Sequence, residues 1–283
     1  MDIVARTVHG SSVADVAWLD ADGMPHGCGA VVLLQEKKPV LAFSYAHEVL
    51  ARQIASADQV ALVMTETRST SSTFAPAALI GRPALIEDTE GYLFTDHLLP
   101  QELRRYPPAR VYADSLVLRR EYWWYLPRLI VSFDIDATLP MPARSVPQAS
   151  RGADKPAPDD AKSVSREHVL AVAVERRIET HLVRMPDPGL AKTVTLQPVE
   201  DRALPSGPAV LLGQEASFPD LARWSTWRYR GFCHGNHFEV SEPPSSIGLE
   251  SIPSVWQRVS RQRAFGRACR AGIARAEQIR PMR

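Results

Sequence analysis

The chain has 283 residues, 45% hydrophobic and 23% charged, with a formal net charge of +1. That near-neutral balance excludes bulk electrostatics as a route to nucleic acid or a membrane surface. Three widely spaced cysteines, Cys28, Cys233 and Cys269, argue against a disulfide framework; with no apolar N-terminal region and no apolar run of about 18 residues, a cytoplasmic protein is expected.

In chain order, Val13–Leu19 and Gly29–Leu34 are apolar arms around Asp22-Gly23, a hairpin signal of the type I′ kind. A second turn at Glu36-Lys37-Lys38-Pro39 leads into a strand at Val40–Ser44. Residues 46 to 56 change to helical spacing, with Val49, Leu50, Ala51, Ile54 and Ala55 as an apolar stripe, and Val60–Met64 is strand again. Thr65–Ser72 reads as a polar loop. Phe74–Glu87 reads as a strand in which Gly81 predicts a bulge and Pro83 an edge or bulge position. A helix is expected over Glu90–Arg105, stopped by Tyr106-Pro107-Pro108, and a strand over Leu129–Ile135 after the aromatic run Trp123-Trp124-Tyr125.

From Thr138 to Ser165 the composition turns to Pro, Ala, Ser and charge, the make-up of a linker. Three units follow: residues 1–137, a linker at 138–165, and residues 166–283. In the third, Arg166–Arg184 has ambiguous spacing, while Lys192–Val199, Ala209–Gly213 and Trp227–Val240 look like strands, the last folded at His234-Gly235-Asn236. Ser254 is a natural N-cap for an Arg-rich helix running to about Ile279. Its apolar residues are enough to dock it on a core; a basic helix of this kind is also a candidate for acidic partners. No repeat at a fixed period is visible. The fold class expected is mainly β with α, an antiparallel split β-barrel followed by a smaller α+β region.

Few local motifs carry chemistry. Cys233-His234 and His237 have metal-ligand density but lack a visible fourth donor, so no metal is expected. Gly27-Cys28-Gly29 lacks the third glycine of a dinucleotide fingerprint, and no nucleophile elbow or P-loop is present.

The order of hairpins, short helix and return strand, with the segments LDADGMPHG, PVLAFSYAHEVLARQIASADQVALV and ALIGRPALIED, resembles the pyridoxamine 5′-phosphate oxidase-like, FMN-binding split-barrel superfamily, which includes flavin and deazaflavin reductases. The resemblance covers roughly residues 10 to 136. It implies a homodimer holding FMN or a deazaflavin, an oxidoreductase passing hydride through the flavin ring to a small molecule, and a phosphate seat where the third strand meets the helix. Carried onto this chain, that seat involves Ser44, Tyr45 and Arg52. Arg82 and Arg128 would neutralise phosphate or a substrate carboxylate, and Trp124 would lie near the ring or, as a dull alternative, in a core or dimer interface. Glu48, in the first turn of the helix, would compete with a phosphate for the same donors. The second reading is a non-catalytic flavin- or ligand-binding regulatory protein on the same scaffold; nucleic acid and membrane partners are not expected.

Overall fold

The computed structural model describes residues 3–66, 74–145, 166–186, 192–217 and 221–279. Helix α1 (Ile3–Gly10) precedes the first sheet, made of β1 (Ala14–Leu19), β2 (Pro25–Ala30), β3 (Val32–Gln35), β4 (Lys38–Ser44), β5 (Val60–Met64), β6 (Ala77–Asp88) and β7 (Arg128–Pro140). A 3-10 turn (Tyr45–His47) and α2 (Glu48–Ala55) lie between β4 and β5, as the change of period requires. Every pairing is antiparallel, in the order β2-β1-β5-β6-β7-β4-β3. The two ends of that order, β2 and β3, are separated in the chain by Val31 alone, so one bent strand joins both edges and the sheet nearly closes into a barrel.

Local chemistry explains most of these joints. Between β1 and β2, Gly23 alone has positive φ (78°) and its N–H bonds the Asp20 carbonyl at 3.0 Å. This is a type I turn ending in a left-handed glycine, which corrects the expected type I′ geometry. Type I′ occurs instead at Glu36-Lys37, where both φ are positive, 48° and 71°. The predicted bulge is present: the β6–β7 register shifts between Ile80 and Gly81, and a Cβ on Gly81 would sit 2.4 Å from the Asp134 carbonyl oxygen. Pro83 lies beyond the end of the β5 pairing, where β6 needs no donor on that side. In α2 only Ala51 and Ile54 are buried; Val49 is 71% exposed, so the apolar face is narrower than its sequence stripe.

Between β6 and β7 the chain forms a cover: a π-helical turn at Phe94–Leu98 running into α3 (Leu99–Arg105), then α4 (Arg110–Ala113), α5 (Leu116–Glu121) and a 3-10 turn at Trp123–Tyr125. The stop at Tyr106-Pro107-Pro108 is where α3 ends. Strand β7 continues to Pro140 and the Arg144 side chain is buried, so the first residues of the expected linker belong to the folded body. The remainder of that linker, 146–165, lies outside the described residues, as does most of the expected polar loop (67–73).

The second half contains β8 (Arg166–Val174), β9 (Arg177–Met185), β10 (Thr193–Thr195), β11 (Gln197–Pro198), β12 (Gly207–Ala216), β13 (Trp224–His234) and β14 (His237–Glu242), in the antiparallel order β10-β14-β13-β12-β8-β9-β11. Its two ends are again consecutive chain, joined through Leu196. Strands β8, β9, β12, β13 and β14 pair as β1, β2, β5, β6 and β7 do, a topological repeat with no periodic sequence behind it. The segment Arg166–Arg184, of ambiguous spacing in sequence, is the hairpin β8–β9. Val169 and Ala171 face the first barrel's core while Leu170 and Val172 face their own sheet's core. Burial on both faces removes the alternation that marks a strand.

Helix α6 (Val255–Ile279) begins with Ser254 and Gln257 in a reciprocal cap: Gln257 N–H donates to Ser254 Oγ (3.3 Å) and Ser254 N–H to Gln257 Oε1 (2.8 Å). It docks on the first barrel, with Gly266 against the Trp124 indole and Gly272 against the Tyr45 carbonyl. Among the described residues no helix is long and apolar enough to cross a membrane.

Candidate functional site

The C-terminal end of β4 and the start of β7 lie side by side, with Ser44 directly opposite Arg128. Register partners point their side chains to the same face of a sheet. Here that face opens into a cavity of about 270 Å³, bounded by the barrel, the helical cover between β6 and β7, α6 and β13 of the second sheet.

Arg128 is 1% exposed. Its guanidinium carbon lies 3.9 Å from the Phe94 ring centre and 4.1 Å from that of Tyr125, which holds the planar cation between two aromatic faces. A carboxylate neighbour, Glu102 from α3, is 3.6 Å away, and Glu102 Oε1 also accepts the Tyr125 hydroxyl at 2.5 Å. Burial, and then the Glu102 charge, push the Tyr125 phenol well above its ordinary value, so it stays a donor to Glu102. One buried polar atom at this cavity, Arg128 Nε, has no hydrogen-bond partner among the described residues, and its neighbour Ser44 Oγ has the Cys269 thiol beside it. Buried donors are seldom left unpaired, because each loses its hydration without replacement.

The other walls come from distant parts of the chain. His47, one turn beyond Ser44, has its imidazole held below its ordinary value by burial and by the Arg128 charge, which keeps it neutral near pH 7. Tyr106, Phe265 of α6 and Trp224 of β13 supply flat apolar surface. Cys269 of α6 lies against Ser44 and the Ala46 backbone, and burial pushes its thiol up.

Six residues were expected at a flavin site, and the fold separates them. Ser44 and Arg128 meet in the cavity. Tyr45 faces away from it, buried, with its hydroxyl unpartnered and its carbonyl covered by Gly272. Arg52 is paired with Glu48 (3.1 Å) and Glu87 (2.8 Å), and Glu48 is shared with Arg275 (3.0 Å), so its charge is already met by carboxylates. Arg82 is exposed on β6 and pairs with Asp136 at 3.3 Å. Trp124 is buried among Tyr112, Tyr122 and Phe265, in the core position that was the dull alternative. Sequence reading did not find Glu102, Tyr106, Trp224 or Phe265. His47 had the one available signal, its position three residues after Ser44; the others arrive from elements whose packing no local pattern encodes. The Cys233, His234, His237 region forms no metal-binding group, and none occurs among the described residues.

No protein-family model matches the chain, and no curated protein matches it. Among solved structures it is similar to the protein Atu2129 of unknown function from Agrobacterium tumefaciens, at 16% identity and TM-score 0.33, covering 48% of this chain and 53% of that one. It is also similar to ChuZ of Campylobacter jejuni, at 12% identity and TM-score 0.32, covering 47% and 51% of the two chains. A heme binding protein from Mycobacterium smegmatis aligns over 95% of this chain and 96% of its own, at 12% identity and TM-score 0.33. The chain thus spans about half the length of the first two and nearly all of the third. No ligand is carried across at these levels of likeness.

Proposed function

We propose that the cavity binds a flat aromatic ligand bearing an acidic group, and that this ligand is FMN in an oxidoreductase of the split-barrel superfamily. The observation behind this reading is the buried Arg128 Nε, without a hydrogen-bond partner among the described residues, beside the Ser44 hydroxyl on one face of a cavity with aromatic walls. An acidic group would complete Arg128 Nε, and Tyr106, Phe265 and Trp224 would contact a ring. The acidic group goes to Arg128 in this reading, and not to the mouth of α2, because Arg52 is neutralised and Tyr45 is covered. Bound flavin would supply the hydride chemistry; the chain supplies the anion contact, the apolar walls and a neutral imidazole at His47. A homodimer is part of the proposal.

The test is FMN titration followed by flavin fluorescence, on wild type and Arg128→Gln. Losing a charged hydrogen bond is worth about 1.5–3 kcal/mol, so the variant should bind roughly 10- to 150-fold more weakly with unchanged far-UV dichroism. Absence of FMN binding by wild type refutes the flavin assignment. Titration with heme, the ligand in the name of the Mycobacterium smegmatis protein, asks whether the same cavity selects a different ring. Reduction of bound flavin by a nicotinamide donor separates an oxidoreductase from the second reading, a binding protein, which the closed Arg52 seat favours.

A further inference from the structure

One wall of the cavity belongs to the second sheet, and it is held from behind. The Trp224 indole Nε1–H donates to Gln214 Oε1 at 3.1 Å on the neighbouring strand β12. Gln214 Nε2 donates in turn to Asp15 Oδ2 of β1 at 3.2 Å, and the same oxygen accepts Arg144 Nη2 at 2.9 Å. Trp224 also meets the edge of Tyr106, another cavity residue, with ring centres 6.2 Å apart. The chain of bonds therefore runs from the cavity wall, through the second sheet, into the buried interior of the barrel.

We propose that Gln214 is a positioning residue for the ligand cavity, fixing the Trp224 indole and coupling it to the charge on Asp15. This rests on the reading that the cavity binds a flat ligand.

The coupling follows from donor and acceptor counts. A carboxylate only accepts, so an ionised Asp15 requires the Gln214 NH₂ end, which leaves Oε1 for the indole. A proton placed on Asp15 Oδ2, the oxygen that Gln214 touches, presents an O–H that the amide satisfies by turning its oxygen toward it; the indole then faces an NH₂ group and loses its acceptor. Asp15 is 1% exposed, and burial, partly offset by Arg144, raises its carboxyl to about 6. The groups facing Asp15 are Arg144 from the segment after β7, Glu66 from the segment after β5 and Cys28 on β2; Arg228 of β13 acts on Cys28, and His168 of β8 faces Arg144.

The experiment is indole ¹⁵N NMR on the full chain with ¹⁵N-labelled tryptophan, the Trp224 signal identified by its loss in Trp224→Phe, together with FMN titration at pH 7.5 and 5.5. Without ligand, the wild-type Trp224 signal should shift with a midpoint near pH 6, and that shift should vanish in Asp15→Asn and in Gln214→Leu. FMN affinity should fall more steeply at the lower pH in wild type than in either variant, where the remaining fall is that of the ligand's own phosphate, whose second pKa is about 6. A Trp224 signal unmoved by pH, or one that titrates equally in Gln214→Leu, overturns the proposal; Gln214→Leu serves if Asp15→Asn does not fold. If the indole titrates as expected and FMN does not bind at either pH, the flavin reading fails and the coupling of Trp224 to Asp15 stands. If FMN binds with the same pH profile in wild type and Gln214→Leu, the positioning role fails and the flavin reading stands.

Discussion

Glycine at position 272 of α6 offers a sharp test of how this helix is held. In an ordinary helix interior, Gly→Ala gains about 1 kcal/mol, because alanine loses less backbone entropy. Here a Cβ would sit 2.6 Å from the Tyr45 carbonyl oxygen and 2.9 Å from Tyr45 Cβ. Neither atom can turn aside, since Tyr45 follows Ser44 at the point where β4 leaves the sheet. Overpacking against a fixed neighbour costs about 1–3 kcal/mol. The net expectation for Gly272→Ala is a loss of about 1 kcal/mol despite the better helix former. Gly266 provides the internal comparison: its Cβ would meet the packed Trp124 indole at 2.9 Å and 3.0 Å, slightly longer approaches and to a side chain instead of backbone, so Gly266→Ala should cost less than Gly272→Ala. Urea denaturation of wild type and both variants, with midpoints compared at constant slope, reads the order directly. If Gly272→Ala is more stable than wild type, or Gly266→Ala is the more damaging of the two, the close docking of α6 on Tyr45 is wrong.

Three further outcomes follow from the same geometry. Ser254→Ala should cost about 1 kcal/mol of local helix stability; because the first turns of α6 are largely exposed, it should appear as roughly fivefold faster hydrogen exchange over residues 255–260 with an unchanged global midpoint. Acid titration should distinguish two buried groups. The folded state keeps a proton on Asp15 up to about pH 6 where the unfolded chain has lost it from 3.8 upward, so this group adds stability as pH falls through that window. The His168 imidazole, lowered by burial from 6.5 to about 4, refuses a proton that the unfolded chain accepts, and removes stability over nearly the same window. Asp15→Asn should therefore lose stability more steeply than wild type between pH 6.5 and 4 in urea titrations; an identical slope would contradict the assignment. Burial raises the thiols of Cys28 to about 12 and of Cys233 to about 11, with Cys269 also raised, so all three should react slowly with a thiol reagent at pH 7 and rapidly once unfolded. A fast-reacting Cys233 or Cys269 in the folded protein would show an opening that the structure lacks, Cys28 alone of the three being partly exposed.

What the chain wrote locally was legible from its residues alone. The arms at β1, β4 and β5, the change to helix after Ser44, the Gly81 bulge, the stop at Tyr106-Pro107-Pro108 and the Ser254 cap all depend on neighbours within a few positions, where turn chemistry and side-chain period act directly. Tertiary structure decided the rest. It made β8–β9 a hairpin with both faces buried, which erased the period that would have announced it. It drew Arg52 to Glu48 and Glu87, set α6 over Tyr45, and brought Glu102, Trp224 and Phe265 to Arg128 from up to about 137 residues away along the chain. Those choices depend on which surfaces exclude water together and which charges find each other there, and contacts of that span leave no mark in any short stretch of sequence.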